Sequence, residues 1–419
     1  MQYIYTRITD FLSRRLRIDA HYFVSGSFWL LLTQVITITG GIAVSAFFAH
    51  TLSTSDFGIY RYLIGIGLLL SSFSLTGLGQ AILQASAKKY YNFYNETLGI
   101  NLIYSSGIIL AGCIGSLYYF YNENITLSIG CLIVAGVQPL INTFQNVSSF
   151  LQGDRRFKDS TILQSTKAII TSVISIISIL ITHNVVILLA TFLATQLLTN
   201  VLSHFYYRIT QETQETPPDI LSKYLTFAKN TSIRNIISNL AFRMDTIIVF
   251  TYLGATELAV YTIANIIPEQ IKGSLKNMAF LLIPKYAQHS DIAVIKRGIL
   301  KRSLLFFLIL SAMTIVYVLT APIIYHVLFP KYEASILYSQ LAALAFPAFV
   351  LYMPFNALQA QLKERELHLI NTQISILQLV LICILIYTSG LLGAIIARIA
   401  ARYLNMLLCY YYLYSTKSD

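Results

Sequence analysis

Apolar segments long enough to cross a lipid bilayer follow one another along nearly the whole chain, with few charged residues between them. Charged residues make up 11% of the 419 residues and hydrophobic residues 56%, whereas soluble domains contain about 25% charged residues. A chain of this composition cannot cover a water-facing surface, which excludes a soluble enzyme, a nucleic-acid-binding module and a disordered regulator. Because one helical span needs about 20 apolar residues, the length corresponds to about twelve spans with their loops.

Six spans are predicted on each side of a polar break, which runs from Arg208 to Ser222 and holds three acidic residues and two prolines. The predicted spans are 28–50, 59–80, 98–121, 126–150, 161–182 and 185–207 before the break, and 223–252, 257–284, 303–328, 336–361, 367–388 and 390–413 after it. The predicted domains are an N-terminal segment 1–27, an N-lobe 28–207, a cytoplasmic linker 208–222, a C-lobe 223–413 and a tail 414–419.

Basic residues alternate between the two sides of the predicted membrane. The N-terminal segment and the even-numbered loops carry most of the Lys and Arg, whereas only Arg61 and Lys331 lie near odd-numbered loops. Since basic loops stay in the cytoplasm, both termini are expected there. The net charge of +11 therefore indicates orientation and attraction to anionic membrane lipids rather than nucleic-acid binding.

The N-terminal segment has no signal-peptide pattern of an apolar core and a cleavage site. Its apolar residues Ile4, Ile8 and Phe11 fall at helical spacing among several arginines. This pattern is typical of an amphipathic helix on the cytoplasmic leaflet, and an unstructured basic tail is the alternative.

The two halves share a short repeat. Leu52–Tyr60 and Leu253–Tyr261 both read Leu-x-x-Ser/Thr-Asp/Glu-Phe/Leu-Gly/Ala-Ile/Val-Tyr. Each copy joins the first two spans of its half on the same side of the membrane, so a parallel repeat is predicted. The pattern indicates a tight hairpin in which a Ser or Thr caps the next helix and an acid lies in its first turn.

The residues around these hairpins also carry a family resemblance. In the first half the hairpin is followed by Leu75–Gly79 (LTGLG) and then by Lys88–Tyr90 (KKY); in the second half Met244–Thr246 (MDT) precedes the hairpin and Pro284–Lys285 closes the segment. With this layout the chain resembles Wzx-type O-antigen flippases, which are polysaccharide-biosynthesis membrane proteins of the multidrug/oligosaccharidyl-lipid/polysaccharide exporter superfamily.

The resemblance implies an all-α integral membrane protein with twelve transmembrane helices in two six-helix lobes, MATE-like, around a central cavity that opens alternately to each side. It implies a cargo of oligosaccharide on undecaprenyl diphosphate, moved from the cytoplasmic to the outer leaflet of a bacterial inner membrane. A polysaccharide polymerase and a chain-length regulator are the protein partners that it implies.

Charged residues inside membrane spans are energetically costly and are functional candidates by default. Among the charged residues that lie well inside the predicted spans, seven are basic and only Asp245 and Glu269 are acidic, which predicts a cavity that attracts an anion such as a lipid diphosphate. The candidate cargo-binding residues are Arg234, Arg398, Lys167, Lys272, Arg243 and Arg61, and the candidates for proton or sodium coupling are Asp245 and Glu269. No resident cofactor or metal ion is expected.

Each candidate also has a purely structural interpretation. Lys167 can extend to the cytoplasmic interface, Arg243 to the outer headgroups, and Arg61 can anchor at the outer surface. Arg234 and Asp245 can form ion pairs, and they are eleven residues apart on one helical face. Glu269 and Lys272 can pair with each other along their helix, since they are three residues apart.

Two other functions fit a chain of this class. A multidrug antiporter of the same superfamily exports organic cations, but the basic excess inside the spans argues against such a cargo. A glycan polymerase or ligase needs a catalytic surface outside the bilayer, and the predicted outer loops are very short. A transporter rather than an enzyme is therefore expected.

Overall fold

The computed structural model describes residues 20–210, 215–280, 286 and 292–416. Every regular element within these ranges is helical, and they contain no β-strand. The predicted N-terminal amphipathic helix and the Pro284–Lys285 pair lie outside the described residues. The all-α integral membrane fold is therefore confirmed for the described part of the chain.

Fifteen α-helices are described, with short 3₁₀ turns at Ser71–Phe73, Pro330–Tyr332 and Pro347–Leu351. The helices are α1 (Ala20–Thr51), α2 (Thr54–Leu70), α3 (Leu78–Ala87), α4 (Phe93–Tyr104), α5 (Ser106–Tyr121), α6 (Ile125–Phe144), α7 (Val147–Gly153), α8 (Phe157–Ile181), α9 (Val185–Thr210), α10 (Pro218–Leu253), α11 (Ala255–Phe280), α12 (Ile292–Leu328), α13 (Ala334–Ala343), α14 (Tyr352–Ala360) and α15 (Glu364–Ser415).

Nine helical segments in the described residues are long and apolar enough to cross a membrane, or ten when one bent pair is counted as a span. The bent pair joins Thr54–Phe73 to Leu78–Ala87 at an angle of 59°, where the sequence predicted one span at 59–80. Helix α11 is not among the nine, and it carries Glu257, Glu269 and two lysines. The predicted number of twelve spans therefore stays a prediction.

Helix α15 is two helices joined at Gly390. Its 52 residues would measure about 78 Å as one helix, far more than the ~30 Å of a bilayer core. Gly390 has φ 58° and ψ −136°, a non-helical conformation that glycine adopts without steric penalty. A Cβ added at Gly393 would overlap the backbone of Leu385, so the chain turns back closely on itself between the predicted spans 367–388 and 390–413.

The hairpin before α2 is capped differently from the prediction. The backbone N–H of Asp56 donates to Oγ of Ser53 at 3.0 Å, and the Ser53 hydroxyl donates to the Asp56 carboxylate at 2.6 Å. The capping residue is thus Ser53 rather than the shared Ser55. In the second copy Gly254, with φ 87°, stands at the aligned position. The predicted acid in the first turn is confirmed in both α2 and α11.

Contacts divide the chain into two compact units. The first comprises Met1–Val44 and Leu70–Asn235, and the second comprises Ser45–Leu69 and Ile236–Asp419. Most of helix α2 thus belongs to the second unit by its contacts, and the first half of α10 belongs to the first. The lobe limits predicted from the sequence, 28–207 and 223–413, stay a prediction.

An aromatic core stabilises the first unit around α3, α4, α7 and α9. Phe93, Tyr94 and Phe150 are fully buried there, with Tyr207 packed edge-on against Tyr94 and Phe150. The Tyr207 hydroxyl donates to the backbone carbonyl of Tyr91 at 2.5 Å. Thr216, at the described edge of the polar break, donates its N–H to Glu96, so this part of the break is held against α4.

Within the second unit, one face of α2 packs very closely on α10 and the start of α11. A Cβ at Gly58 would overlap the carbonyl of Ala255, and a Cβ at Gly65 would lie 2.7 Å from the side chain of Thr246. Between them the ring of Tyr62 stacks on Phe250 with centroids 3.7 Å apart. The two small residues and the stacked rings lie on one helical face, at spacings of four and three residues.

We predict that Gly58→Ala destabilises the protein and that Gly99→Ala does not. An alanine generally favours a helix over glycine by about 0.5–1 kcal/mol, but overpacking costs about 1–3 kcal/mol. Gly99 is the matched control because nothing lies within 4 Å of its added Cβ. Thermal unfolding of the purified variants in detergent measures the difference, and equal melting temperatures would contradict the close contact at Gly58.

Candidate functional site

Arg398 is the centre of a cluster of charged side chains in the second unit. Its side chain, in the second half of α15, is 13% exposed. One guanidinium nitrogen, Nη2, donates to Oε1 of Glu269 at 2.5 Å. The other, Nη1, donates to the hydroxyl of Tyr261 at 3.1 Å and lies 3.7 Å from Oδ2 of Asp245. Arg398 therefore connects both acids that the sequence singled out.

Glu269 is shared by three cations. Besides its bond to Arg398, its Oε2 accepts from the ammonium of Lys272 at 2.6 Å, and its Oε1 lies 3.7 Å from Nη2 of Arg402. The Lys272 and Arg402 side chains are 12% and 16% exposed, whereas Glu269 is 33% exposed. The predicted pairing of Glu269 with Lys272 along the helix is confirmed, and two arginines of another helix join it.

Asp245 is held by donors on both carboxylate oxygens. Its Oδ1 accepts from the N–H of Thr246 at 2.7 Å, and its Oδ2 accepts from the hydroxyl of Tyr261 at 2.9 Å. Asp245 and Tyr261 are both buried, at 7% and 3% exposure. A buried carboxylate needs such donors because leaving one unpaired inside a protein is energetically costly.

Helical spacing explains why these side chains meet. Tyr261, Asn265, Glu269 and Lys272 follow one another on α11 at intervals of four, four and three residues, which places them on one face. Arg398 and Arg402 are four residues apart on α15 and share a face in the same way. A cavity of about 20 Å³, enough for one water, is lined by Glu269 and both arginines.

The cluster carries an excess of positive charge. Lys272, Arg398 and Arg402 supply three cations against the carboxylates of Asp245 and Glu269. An uncompensated positive charge inside a membrane protein attracts anions strongly, because the low dielectric screens it little. The arrangement can bind a phosphate by exchanging it for a carboxylate partner of the arginines.

Four predicted site residues therefore lie together: Arg398, Lys272, Asp245 and Glu269. Two members were not in the predicted set. The sequence places Arg402 on one helical face with Arg398, four residues away, but gives no reason to add it to the cargo-binding residues. Tyr261 could have been found as the last residue of the repeat, which is a tyrosine in both halves. Tyr261 bonds to Asp245, and its counterpart Tyr60 precedes Arg61 in the sequence.

The remaining candidates occupy other positions. Lys167 lies in the first unit between α8 and α9, where its ammonium donates to Oδ1 of Asn200 at 2.8 Å. Arg61 lies in the second unit, donating to the Ser45 hydroxyl at 2.5 Å with its guanidinium carbon 5.0 Å from the centre of the Phe57 ring. These inward contacts show Arg61 bound within the protein rather than extended to headgroups.

Arg234 and Arg243 both lie on α10. Arg234 is an exposed residue of the first unit that takes part in an interaction. Arg243 is half-buried in the second unit, and its guanidinium carbon lies 5.8 Å from the centre of the Phe242 ring. The ammonium of Lys272 lies 4.7 Å from the same ring. Phe242 thus connects Arg243 to the charged cluster through cation–π contacts.

The described residues contain no group of His, Cys, Asp and Glu that could hold a metal ion. With nine or ten apolar helices in the same residues, the chain is a multi-pass helical membrane protein.

Comparison with known proteins defines the family. A model of the family described as "Polysaccharide biosynthesis protein" matches residues 47–337, which is more than half of the chain. The chain therefore belongs to this polysaccharide biosynthesis family, as the repeat and the motifs around it predicted. A relative described as "Putative O-antigen transporter" from Shigella flexneri is 24% identical over 403 residues, covering 89% of this chain and 93% of the relative.

Solved structures of transporters share the fold. The lipid II flippase MurJ, in an inward closed conformation, matches with a TM-score of 0.68 and 15% identity, covering 93% of this chain and 87% of MurJ. A multidrug resistance MATE family transporter of the MOP superfamily, in an inward-facing conformation, matches with a TM-score of 0.69 and 15% identity, covering 91% and 94%. The expected MATE-like fold is confirmed, and a transport protein rather than an enzyme is what the family and the Shigella flexneri relative support.

We predict that Glu269→Gln strongly destabilises the protein. The change leaves three buried cations without their shared carboxylate, and breaking a buried ion pair costs about 3–5 kcal/mol. Lys276→Gln is the matched control, because Lys276 is an exposed residue of the same helix and surface changes usually alter stability by less than about 0.5 kcal/mol. Thermal unfolding in detergent compares the two variants, and similar melting temperatures would show that Glu269 does not hold the cluster together.

Proposed function

We propose that this protein moves an oligosaccharide linked to undecaprenyl diphosphate from the cytoplasmic to the outer leaflet of a bacterial inner membrane. The observation that carries the proposal is the buried excess of positive charge formed by Lys272, Arg398 and Arg402. The family and the names of the Shigella flexneri relative and of MurJ support a cargo of lipid-linked sugar.

The diphosphate of the proposed cargo is a group that the arginines of the cluster can bind. A diphosphate has several negatively charged oxygens, and the planar guanidinium groups of arginine bind such oxygens in pairs. Arg402 is the cation with most freedom to do so, because its one ion-pair contact with Glu269 is long, at 3.7 Å. In this proposal the diphosphate takes the place of Glu269 at Arg402, while Arg398 stays fixed by Asp245 and Tyr261.

Movement of the cargo requires alternating access, in which the sugar head crosses inside the protein and the lipid tail stays in the bilayer. In this proposal the two predicted lobes rock about the cavity between them, which opens first to the cytoplasm and then to the outside.

Three of the other basic candidates keep their proposed role with the cargo. Arg234, Arg243 and Arg61 are proposed to guide the diphosphate at other stages of the passage, whereas Lys167 lies in a separate groove of the first unit. Asp245 and Glu269 are the proposed sites for a coupling proton or sodium ion, since both are carboxylates within the spans and next to the cations that would bind the cargo. Both termini are proposed to be cytoplasmic, and a polysaccharide polymerase and a chain-length regulator are the proposed partners.

Multidrug cation export is the second candidate function, because a MATE family multidrug transporter has the same fold. A cation-export site needs unpaired acids, whereas both acids of this cluster are engaged by cations or by hydroxyl and N–H donors. The charge of the cluster therefore favours an anionic cargo.

Deletion of the gene distinguishes the two functions. Loss of surface polysaccharide, with lipid-linked repeat units accumulating inside the cell, is the expected result for the proposed flippase. Unchanged surface polysaccharide together with a new sensitivity to cationic drugs would instead establish cation export and overturn the proposal.

Complementation of the deletion strain tests the role of Arg402. We predict that Arg402→Gln lowers the export of repeat units at least about tenfold, because a hydrogen bond to a charged group contributes about 1.5–3 kcal/mol. Arg402→Lys should retain part of the activity, since it keeps the charge but not the planar pair of donors. Lys276→Gln is the control with unchanged export, and the amount of folded protein in the membrane is measured for each variant. Full export by folded Arg402→Gln protein would exclude the cluster as the cargo site.

A further inference from the structure

A groove of about 350 Å³ separates helices α8 and α9 in the first unit. On α8 it is lined at helical spacing by Asp159, Leu163, Lys167 and Ile170, and on α9 by residues from Thr199 to Tyr206. Ile162 and Leu202 on its two sides are 51% and 56% exposed. Exposed isoleucine and leucine on membrane-spanning helices contact lipid, so the groove opens to the bilayer.

Lys167 is the cation of this groove and has no acidic partner. Its ammonium donates to the neutral side chain of Asn200, which is 8% exposed. No carboxylate lies within ion-pair distance of it in the described part of the chain. The acid that lines the groove, Asp159, is paired with Arg156 at 2.7 Å. A lysine with a neutral partner inside a membrane is energetically costly unless an anion joins it.

The groove runs through the cytoplasmic leaflet of the bilayer. From Asp159 to Ile170 the helix rises about 17 Å, and one leaflet contributes about half of a ~30 Å hydrocarbon core. The end near Asp159 is next to the basic residues Arg155, Arg156 and Lys158, which place it on the cytoplasmic side by the positive-inside rule. A lipid can therefore enter the groove with its head towards the cytoplasm and its acyl chains towards the centre of the bilayer.

Lys167 can meet a headgroup that enters from that side. Its Cα lies nine residues beyond Lys158, about 14 Å along the helix. Helical side chains lean towards the N-terminal end of their helix, which directs the ammonium back towards the cytoplasmic surface. The hydroxyl-bearing residues Thr166 and Ser203 line the groove beside it, so a phosphate drawn below the usual headgroup level meets polar groups.

The number of cations in the groove indicates which class of anionic lipid it can bind. The groove offers one unpaired cation, which matches the single negative charge of a phosphodiester. A diphosphate carries more charge and fits better the three cations of the cluster around Glu269. The neutral phosphatidylcholine headgroup brings its own cation and gains little from Lys167.

We propose that the groove between α8 and α9 is a binding site for an anionic phospholipid of the cytoplasmic leaflet, with its phosphodiester at Lys167 and an acyl chain that runs from there past Ile170 towards the centre of the bilayer. The lipid would neutralise Lys167 and fill a groove that would otherwise expose it. This site does not depend on the identity of the transported cargo.

Native mass spectrometry of the full-length protein tests the site. The protein is taken from nanodiscs that contain phosphatidylglycerol and phosphatidylcholine in equal amounts, and the bound lipids are counted. The wild type is expected to retain phosphatidylglycerol in preference, and Lys167→Gln to lower its retention by about fivefold. Lys167→Arg keeps the charge and should retain the lipid, and so should Lys158→Gln, an exposed control on the same helix.

A second variant tests the groove itself while the charge of Lys167 is kept. Thr166→Trp fills the groove while keeping Lys167, and it should also lower retention of phosphatidylglycerol. Equal retention by wild type and Lys167→Gln, or no preference over phosphatidylcholine, would overturn the proposal. So would displacement of phosphatidylglycerol by added undecaprenyl diphosphate in the wild type but not in Lys167→Gln, because the groove would then serve the cargo instead.

Discussion

The bonds of Arg398 are the interaction on which the second unit depends most. A guanidinium inside a bilayer is tolerated only when its charge and its donors are satisfied. Arg398 meets this condition with a carboxylate on α11, a carboxylate on α10 and the hydroxyl of Tyr261. Because the three partners come from two helices, the same bonds fix how the end of α15 packs against α10 and α11.

The charged cluster also restricts what the surrounding helices can be. Helix α11 has to carry Glu269 and Lys272 and is not among the nine segments apolar enough to cross a membrane, so its position in the membrane depends on packing rather than on hydropathy. A small residue provides such packing at the start of α11, where Gly58 of α2 approaches the backbone of Ala255. Close approach of helix backbones through small residues is the usual way in which membrane helices associate, since lipid gives them no hydrophobic driving force.

Much of the fold could be predicted from the sequence, because a long apolar run in a sequence corresponds to a helix that crosses the membrane. The reversal at Gly390 lies at the predicted junction of two spans, and the acids Asp56 and Glu257 lie in the predicted first turns. The bend after α2 could not be predicted in the same way. Residues 71–77 contain no proline, and the 59° change of direction falls at the break after Phe73, where Ser74 has an extended backbone.

Most residues of the candidate site could be predicted from the sequence, but which of them bond to each other could not. Spacing along one helix indicated that Glu269 and Lys272 could meet, and they do. It also placed Asp245 on one face with Arg234, whereas the described partners of Asp245 are Arg398 and Tyr261, which are far away in sequence. Periodicity reveals which residues share a face of a helix, but it does not reveal which helices are neighbours.

The charged cluster and the groove at Lys167 differ in the groups that their cations contact. Arg398 and Lys272 are held by carboxylates, so an anion that binds there has to compete with a ligand already in place. Such competition suits a cargo that must later be released. Lys167 has only the neutral amide of Asn200, so an anion that binds there displaces no charge and has little reason to leave. The cations of the cluster in the second unit therefore favour a cargo that binds and is released, whereas Lys167 in the first unit favours a lipid that stays bound.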